Sequence, residues 1–84
     1  MKRILFVDEK RDYRRYFENS PEGKAECAKF LFRRYYLPWN RHHKYNSTGM
    51  EWFVTTRAIK LGIEFLNMDA DFFHYRVLLV DQED

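Results

Sequence analysis

The sequence predicts a single α+β domain over residues 1–84, with the element order β-α-α-α-β and with the helices packed on one face of two paired short strands. A chain of this length corresponds to one domain. Short apolar runs at residues 4–7 and 77–80 are bounded by charged residues, as buried strands are. Between these runs, capping residues and apolar residues spaced three and four apart are typical of helices.

The first helix is predicted over residues 9–19, directly after the first strand. Asp8 can accept hydrogen bonds from the free backbone N–H groups at the start of that helix. Tyr13, Tyr16 and Phe17 are spaced at i, i+3 and i+4, so they would share one helical face. Cations would occupy the rest of the helical surface.

The second helix is predicted over residues 21–36. Ser20 is a suitable N-cap, and proline, here Pro21, is favoured at the first helical position. Pro38 disfavours helical backbone at the residue before it, so the helix would end there and residues 37–47 would form a loop. The inward stripe would consist of Ala25, Ala28, Leu31 or Phe32, and Tyr35, and Cys27 would be a small core residue.

The third helix is predicted from Gly49 to about Leu66, because residues 48–51 form a capping box. Apolar residues alternate with other residues over positions 59–65, which also fits a strand. The capping box and the length of the segment favour the helix. Residues 67–71 would then turn the chain into the last strand.

Two strands alone do not form a robust sheet. The second face or the edge of the sheet is therefore predicted to take up a partner, and a homodimer through the sheet edge is one such arrangement.

The positive charge is concentrated in the first half of the chain. Residues 1–46 hold twelve Lys or Arg and six Asp or Glu, whereas residues 47–84 hold three and seven. Residues 29–47 combine five Lys or Arg, two His and six aromatic residues with no acid. Such a segment is typical of surfaces that bind nucleic acid, in which cations contact phosphates and rings stack on bases.

RNA, or alternatively DNA, is therefore the predicted partner. In the alternative interpretation the rings belong to the core and the cations are its solvated ends. The core is favoured for Phe30, Phe32 and Tyr35, whereas the two interpretations are balanced for Trp39 and Tyr45. Phosphate contacts are predicted for Arg33, Arg34, Arg41 and Lys44, with stacking by Tyr36, Trp39 and Tyr45. The complete predicted nucleic-acid surface comprises Arg11, Arg14, Arg15, Lys29, Arg33, Arg34, Tyr36, Trp39, Arg41, His42, His43, Lys44 and Tyr45.

Two further functions, RNA cleavage and protein binding, correspond to other features of the sequence. A ribonuclease could use His42 or His43 as acid and base, but the segment has no carboxylate to orient them, so we expect no catalysis. We expect no cofactor or metal either, because His42, His43, His74 and Cys27 lack the spacing of a zinc site. The alternative is a protein-interaction inhibitor or adaptor with Trp39 as its anchor, whose acidic last third would meet a basic partner through Asp69, Asp71, Asp81, Glu83 and Asp84.

The stretch RDYRRYFENSPEGKAECAKFLFRRYY is short, highly charged and rich in aromatic residues. In size and composition the chain is similar to accessory proteins of T4-like phages, among them a factor that restrains an RNA-cleaving host toxin. This resemblance implies a host-counteracting protein that acts through RNA, a host protein or a ribonucleoprotein. A single cysteine and the absence of a long apolar run further predict a cytoplasmic location with no membrane contact.

Overall fold

The computed structural model describes residues 1–43 and 49–81, and it confirms the α+β class. The described chain forms a three-stranded antiparallel sheet together with helices. In chain order the elements are β1 (Lys2–Asp8), a 3₁₀ turn (Glu9–Arg11), β2 (Tyr13–Glu18), α1 (Pro21–Leu31), a π-helical stretch (Phe32–Tyr36), α2 (Leu37–His43), α3 (Met50–Leu61), α4 (Ile63–Leu66), α5 (Ala70–Phe73) and β3 (Arg76–Asp81).

The two predicted strands are neighbours, as expected, but the sheet has a third strand. Its order is β2-β1-β3, and both pairs are antiparallel. The predicted helix over residues 9–19 is wrong, because this segment turns back and pairs with β1 as a hairpin. The element order therefore begins β-β-α instead of β-α-α.

The hairpin turn explains why the helical spacing was misleading. The side chain of Asp8 accepts a hydrogen bond from the backbone N–H of Arg11 at 3.0 Å, so Asp8 is a cap, but of a single 3₁₀ turn. Asp12 then adopts a left-handed conformation with φ 54° and reverses the chain. Tyr13 and Phe17 are an even number of residues apart and share a face in a strand as well, whereas Tyr16 points to the opposite face.

One face of the sheet packs against the helices and forms the core. Ile4 and Phe6 of β1 are fully buried there, and Phe17 and Val77 flank them on the neighbouring strands. The helices contribute Cys27, Ala28, Leu31, Tyr35, Ala58 and Leu66 to the same core. The opposite face carries Leu5 and Val7 in its centre and the exposed side chains of Tyr16 and Leu78 beside them.

The helix that starts at Pro21 has the predicted N-terminus but does not end before Pro38. Ser20 Oγ accepts a hydrogen bond from the backbone N–H of Gly23 at 3.0 Å. The chain then stays helical from α1 through α2, and the prediction of a loop from residue 37 is wrong for residues 37–43. The backbone N–H of Leu37 donates to the carbonyl of Phe32, five residues back. This wider turn lies directly before Pro38, where the helix tolerates the proline.

The predicted third helix is confirmed as α3 and α4, which rules out the strand alternative for residues 50–61 and 63–66. Gly62 interrupts it with φ 70°. Thr48 of the predicted capping box lies outside the described residues. Within residues 1–43 and 49–81, no helix is both long and apolar enough to cross a membrane.

Asn67 lies against the outer edge of β3. Its side-chain Nδ2 donates to the carbonyl oxygen of Val77 at 2.7 Å, and its Oδ1 accepts from the backbone N–H of Val77 at 2.9 Å. The amide group thus makes the two hydrogen bonds that a further strand would make at this residue.

Candidate nucleic-acid interface

Four cations from two elements line one open cleft on the helical side of the sheet. Arg15 comes from β2, and the other three come from the continuous helical segment 21–43: Lys29 from α1, and Arg33 and Arg34 from the π-helical stretch. The cleft has a volume of about 490 Å³, and of the residues that the structure describes, Phe30 and one carboxylate, Glu26, complete its walls. We call this set the basic cleft: Arg15, Glu26, Lys29, Phe30, Arg33 and Arg34.

The sequence places these side chains together through two regular spacings. Positions 26, 29, 30, 33 and 34 are separated by three and four residues and form one stripe of the helix. Arg15 is the direct partner of the buried Phe6 in the register of β1 and β2, so its side chain points to the helical side of the sheet. The strand and the helical stripe therefore supply charge to the same space.

The guanidinium groups of the cleft rest on aromatic rings. The Cζ atom of Arg15 lies 4.8 Å from the ring centroid of Phe17 and 5.0 Å from that of Phe30. The Cζ atom of Arg34 lies 4.4 Å from the ring centroid of Tyr13. These cation–π contacts fix the direction of the charges, and they cover the rings that a base would need for stacking. The basic cleft therefore offers positive charge for phosphates and little free ring surface.

The four cations differ in how far the protein itself neutralises them. Arg33 forms an ion pair with Glu51 at 2.7 Å, and Arg34 lies 3.8 Å from a carboxylate oxygen of Asp8. Arg15 and Lys29 form no ion pair with any residue in the described ranges 1–43 and 49–81, and both are exposed. These two side chains consequently carry the charge that is most available to an anion.

Asp8 is a fully buried carboxylate behind the basic cleft. Its Oδ2 accepts hydrogen bonds from the Tyr35 hydroxyl at 2.5 Å and from Arg11 at 2.9 Å. Burial by itself raises the pKa of Asp8, but the hydrogen bonds from Tyr35 and Arg11 outweigh it and hold that pKa below its ordinary value. Burial, together with the bond to Asp8, raises the pKa of Tyr35 to about 12. Asp8 is therefore charged and Tyr35 protonated at neutral pH. The charged Asp8 carboxylate attracts the Arg34 guanidinium, 3.8 Å away, and so helps to orient it.

Two of the three arginines predicted to extend the surface lie elsewhere. The predicted helix would have placed Arg11, Arg14 and Arg15 side by side, but in a strand successive side chains alternate between the faces. Arg14 therefore points to the opposite side of the sheet from Arg15. Arg11 sits in the 3₁₀ turn, where it binds Asp8.

The rings predicted to stack on bases are not part of the basic cleft. Tyr36 stacks on Phe32 with 4.9 Å between ring centroids, and Trp39 lies 5.6 Å from Tyr36. Tyr36 lines a separate apolar pocket of about 80 Å³. The π-helical stretch is the reason, because its wider turn rotates the following residues away from the stripe of Lys29 and Arg33.

The remaining predicted residues lie along or beyond α2. Arg41 is exposed on α2 and does not line the basic cleft. His42 and His43 are the last two residues of α2, but their side chains lie outside the described part of the protein. Lys44 and Tyr45 lie outside the described residues.

Sequence reasoning missed Phe30 and Tyr13, the rings that support the cleft cations. The helical stripe of Glu26, Lys29 and Arg33 could have identified Phe30, which belongs to the same spacing. Tyr13 could not be found in this way, because its position depends on the hairpin.

Comparison of the chain with models of protein families, with curated proteins and with solved structures gives no match. The geometry and the charge of the basic cleft are therefore the features that bear on its role.

Proposed function

We propose that this protein is a small non-catalytic RNA-binding protein that holds the phosphate backbone in the basic cleft. The observation that supports this proposal most strongly is the convergence of Arg15, Lys29, Arg33 and Arg34 on one cleft, in which Glu26 is the single carboxylate among the described residues. Arginine and lysine neutralise phosphates and release the counterions bound to them, which provides most of the sequence-independent affinity for nucleic acid. DNA offers the same phosphates and is the alternative ligand.

The cleft geometry favours recognition of the backbone over recognition of bases. The Cζ atoms of Arg15 and Arg34 lie 5.0 Å and 4.4 Å from the ring centroids of Phe30 and Tyr13, and the exposed Arg15 and Lys29 remain accessible to phosphate oxygens. Sequence-specific RNA binding uses exposed rings or polar edges that read the bases. Binding through this cleft is therefore expected to depend strongly on salt and weakly on base sequence.

Replacing Arg15 and Lys29 together with alanine is expected to weaken binding of a fluorescently labelled single-stranded RNA, measured by anisotropy over a series of salt concentrations. The plot of log affinity against log salt concentration should become shallower by about 1.4, because each lost phosphate contact on a single strand contributes about 0.7. Neither residue has an ion pair within the described protein, so the change removes charge without breaking one.

The matched control replaces Arg57 and Lys60 of α3 with alanine. Arg57 also rests on a phenyl ring, with its Cζ atom 5.1 Å from the centroid of Phe53, and Lys60 is exposed like Lys29. This variant loses the same charge, and neither Arg57 nor Lys60 is among the residues that line the basic cleft. Equal effects of both double substitutions would show that only net charge matters, and unchanged binding in the Arg15/Lys29 variant would remove the cleft as the RNA site.

A second candidate function is binding of another protein, and the exposed rings of α3 favour it. Trp52 is 72% exposed and Phe53 is 44% exposed, whereas Trp39, the predicted anchor, is half-buried against Tyr36. Large exposed aromatic residues are frequent energetic centres of protein interfaces. Of the acidic residues predicted to meet a basic partner, Asp69 and Asp71 are exposed and Asp81 forms an ion pair with Lys2. Glu83 and Asp84 lie outside the described residues.

The two candidates are distinguished by affinity capture from a nuclease-treated lysate. If α3 binds a protein, the partner should survive nuclease treatment and be lost with Trp52→Ala. It should be retained with Met68→Ala, which truncates a similarly exposed side chain after α4. A partner that disappears with nuclease, or that both variants retain, would contradict the protein-binding function.

The similarity to phage accessory proteins suggests a setting for the proposed RNA binding. In that setting the protein would act in the host cytoplasm and counteract a defence or toxin that targets RNA. The basic cleft would then compete for the RNA or hold it within a ribonucleoprotein.

A further inference from the structure

In the part of the chain that the structure describes, residues 1–43 and 49–81, β2 is an edge strand that pairs with β1 alone. Val77 directs its N–H and carbonyl toward Asn67 and away from β1, and Val77 lies opposite Phe6. In an antiparallel ladder both groups of a residue point to the same side, so Phe6 must direct its own groups toward Arg15 of β2. The residues on either side of Arg15 therefore direct their N–H and carbonyl groups outward.

These outward groups belong to Arg14, Tyr16 and Glu18. Among residues 1–43 and 49–81, no backbone hydrogen bond is made by the outward groups of Arg14 or Tyr16. The other edge of the sheet differs, because the amide of Asn67 occupies it at Val77. Open strand edges are templates for pairing with another strand.

From this geometry we infer that two copies of the chain associate through their β2 strands, antiparallel, with Tyr16 opposite Tyr16 of the second copy. The pairing joins the two sheets into one of six strands. It has the self-complementary form that a two-fold symmetric dimer requires.

Charge complementarity selects this register. With Tyr16 at the centre, Arg14 of each copy lies opposite Glu18 of the other, and Arg15 lies opposite Phe17. Opposite charges and cation–ring pairs placed directly across two strands are stabilising. Centring the pair on Arg14 or on Arg15 would instead place two like charges opposite each other, which is destabilising.

The side chains needed for this pairing are accessible. Tyr16 is 48% exposed on the face of the sheet opposite the helices, and Arg14 and Glu18 are exposed on the same face. The pairing covers five residues of each β2 strand, positions 14–18, and is smaller than a standard stable interface, so the dimer should be weak and dependent on concentration.

Charge reversal tests the register by sedimentation velocity from micromolar to near-millimolar protein. The wild-type chain is expected to shift from monomer to dimer over this range. Arg14→Glu or Glu18→Arg alone should weaken association about tenfold or more, because each converts two attractive pairs into repulsive ones.

An equimolar mixture of the two single variants provides the decisive control. Glu at position 14 of one chain then faces Arg at position 18 of the other, so a heterodimer should form at wild-type strength although each variant alone associates more weakly by about tenfold or more. Circular dichroism verifies that each variant is folded. A wild-type chain that stays monomeric, a dimer that ignores the reversals, or a folded mixture that stays monomeric would each overturn the inference.

Hydrogen exchange of the wild-type protein gives a second test that needs no substitution. The Tyr16 amide should become more protected as protein concentration rises, whereas the Val77 amide, already bound to Asn67, should not change. Absence of concentration-dependent protection at Tyr16 would also overturn the inference.

Discussion

Replacing Gly23 with alanine is expected to destabilise the protein by about 3 kcal/mol or more, a large part of the roughly 5–15 kcal/mol that stabilises a typical domain. A Cβ atom at this position would lie 1.8 Å from the carbonyl oxygen and 2.6 Å from the carbonyl carbon of Glu18. Both are backbone atoms of β2, so α1 would have to move away from the sheet. Urea denaturation followed by circular dichroism measures the loss.

The sign of this effect makes the test specific. Glycine to alanine in a helix normally stabilises by about 1 kcal/mol through helix propensity. Gly62→Ala is the comparison for backbone strain alone, because a Cβ atom there meets nothing within 4 Å and the expected cost of roughly 1–3 kcal/mol comes from the positive φ of Gly62. Higher stability of Gly23→Ala would contradict the close contact between α1 and β2.

Asp8→Asn is expected to cost roughly 3 kcal/mol or more at neutral pH, because it removes the charge of a fully buried acceptor of three hydrogen bonds, and a hydrogen bond to a charged group contributes about 1.5–3 kcal/mol. The substitution keeps the shape of the side chain but removes the charge that binds Arg11 and orients Arg34. It also weakens the acceptor of the buried Tyr35 hydroxyl. Chemical denaturation over a series of pH values measures the cost.

The pH dependence identifies the carboxylate as the cause. The pKa of Asp8 is lowered in the folded protein, so its stabilisation is complete well above the unfolded value of about 3.9 and is lost as the pH falls through the folded value. The difference in stability between wild type and Asp8→Asn should therefore be constant above about pH 5 and shrink on further acidification. A difference that stays constant down to the acid transition would contradict this role.

Asp12→Asn in the same turn is the matched control. Asp12 is exposed and adopts a left-handed conformation that asparagine also tolerates. Its substitution should change stability by no more than about 0.5 kcal/mol at any pH.

Sequence reasoning succeeded where a local rule decides the structure. Ser20 and Pro21 mark the start of α1 because capping depends on neighbouring residues alone. The apolar runs of β1 and β3 are recognisable because both are short and bounded by charge. Lys29 and Arg33 belong to the predicted nucleic-acid surface, and both line the basic cleft.

Sequence reasoning failed where pairing or packing overrides a local rule. Residues 13–18 have a spacing that fits a helical face, but the tight turn after Asp8 and the register with β1 make them a strand. Pro38 normally ends a helix, yet the π-helical hydrogen bond of Leu37 lets the helix continue. These two errors displaced Arg11, Arg14, Tyr36 and Trp39 from the predicted surface. The inward position of Arg15, and with it the cleft, depends on the hairpin.

The amide of Asn67 has a consequence for how the sheet can grow. If both edges were equally open, β2 of one molecule could add to β3 of the next, and every added molecule would present a fresh edge, which is how fibres elongate without limit. The backbone N–H and carbonyl of Val77 are already hydrogen-bonded to the Asn67 side chain. A β2 strand that approaches this edge therefore cannot pair with Val77 unless those bonds break. The Asn67 side chain thereby favours a closed dimer through β2 over an open-ended polymer of sheets.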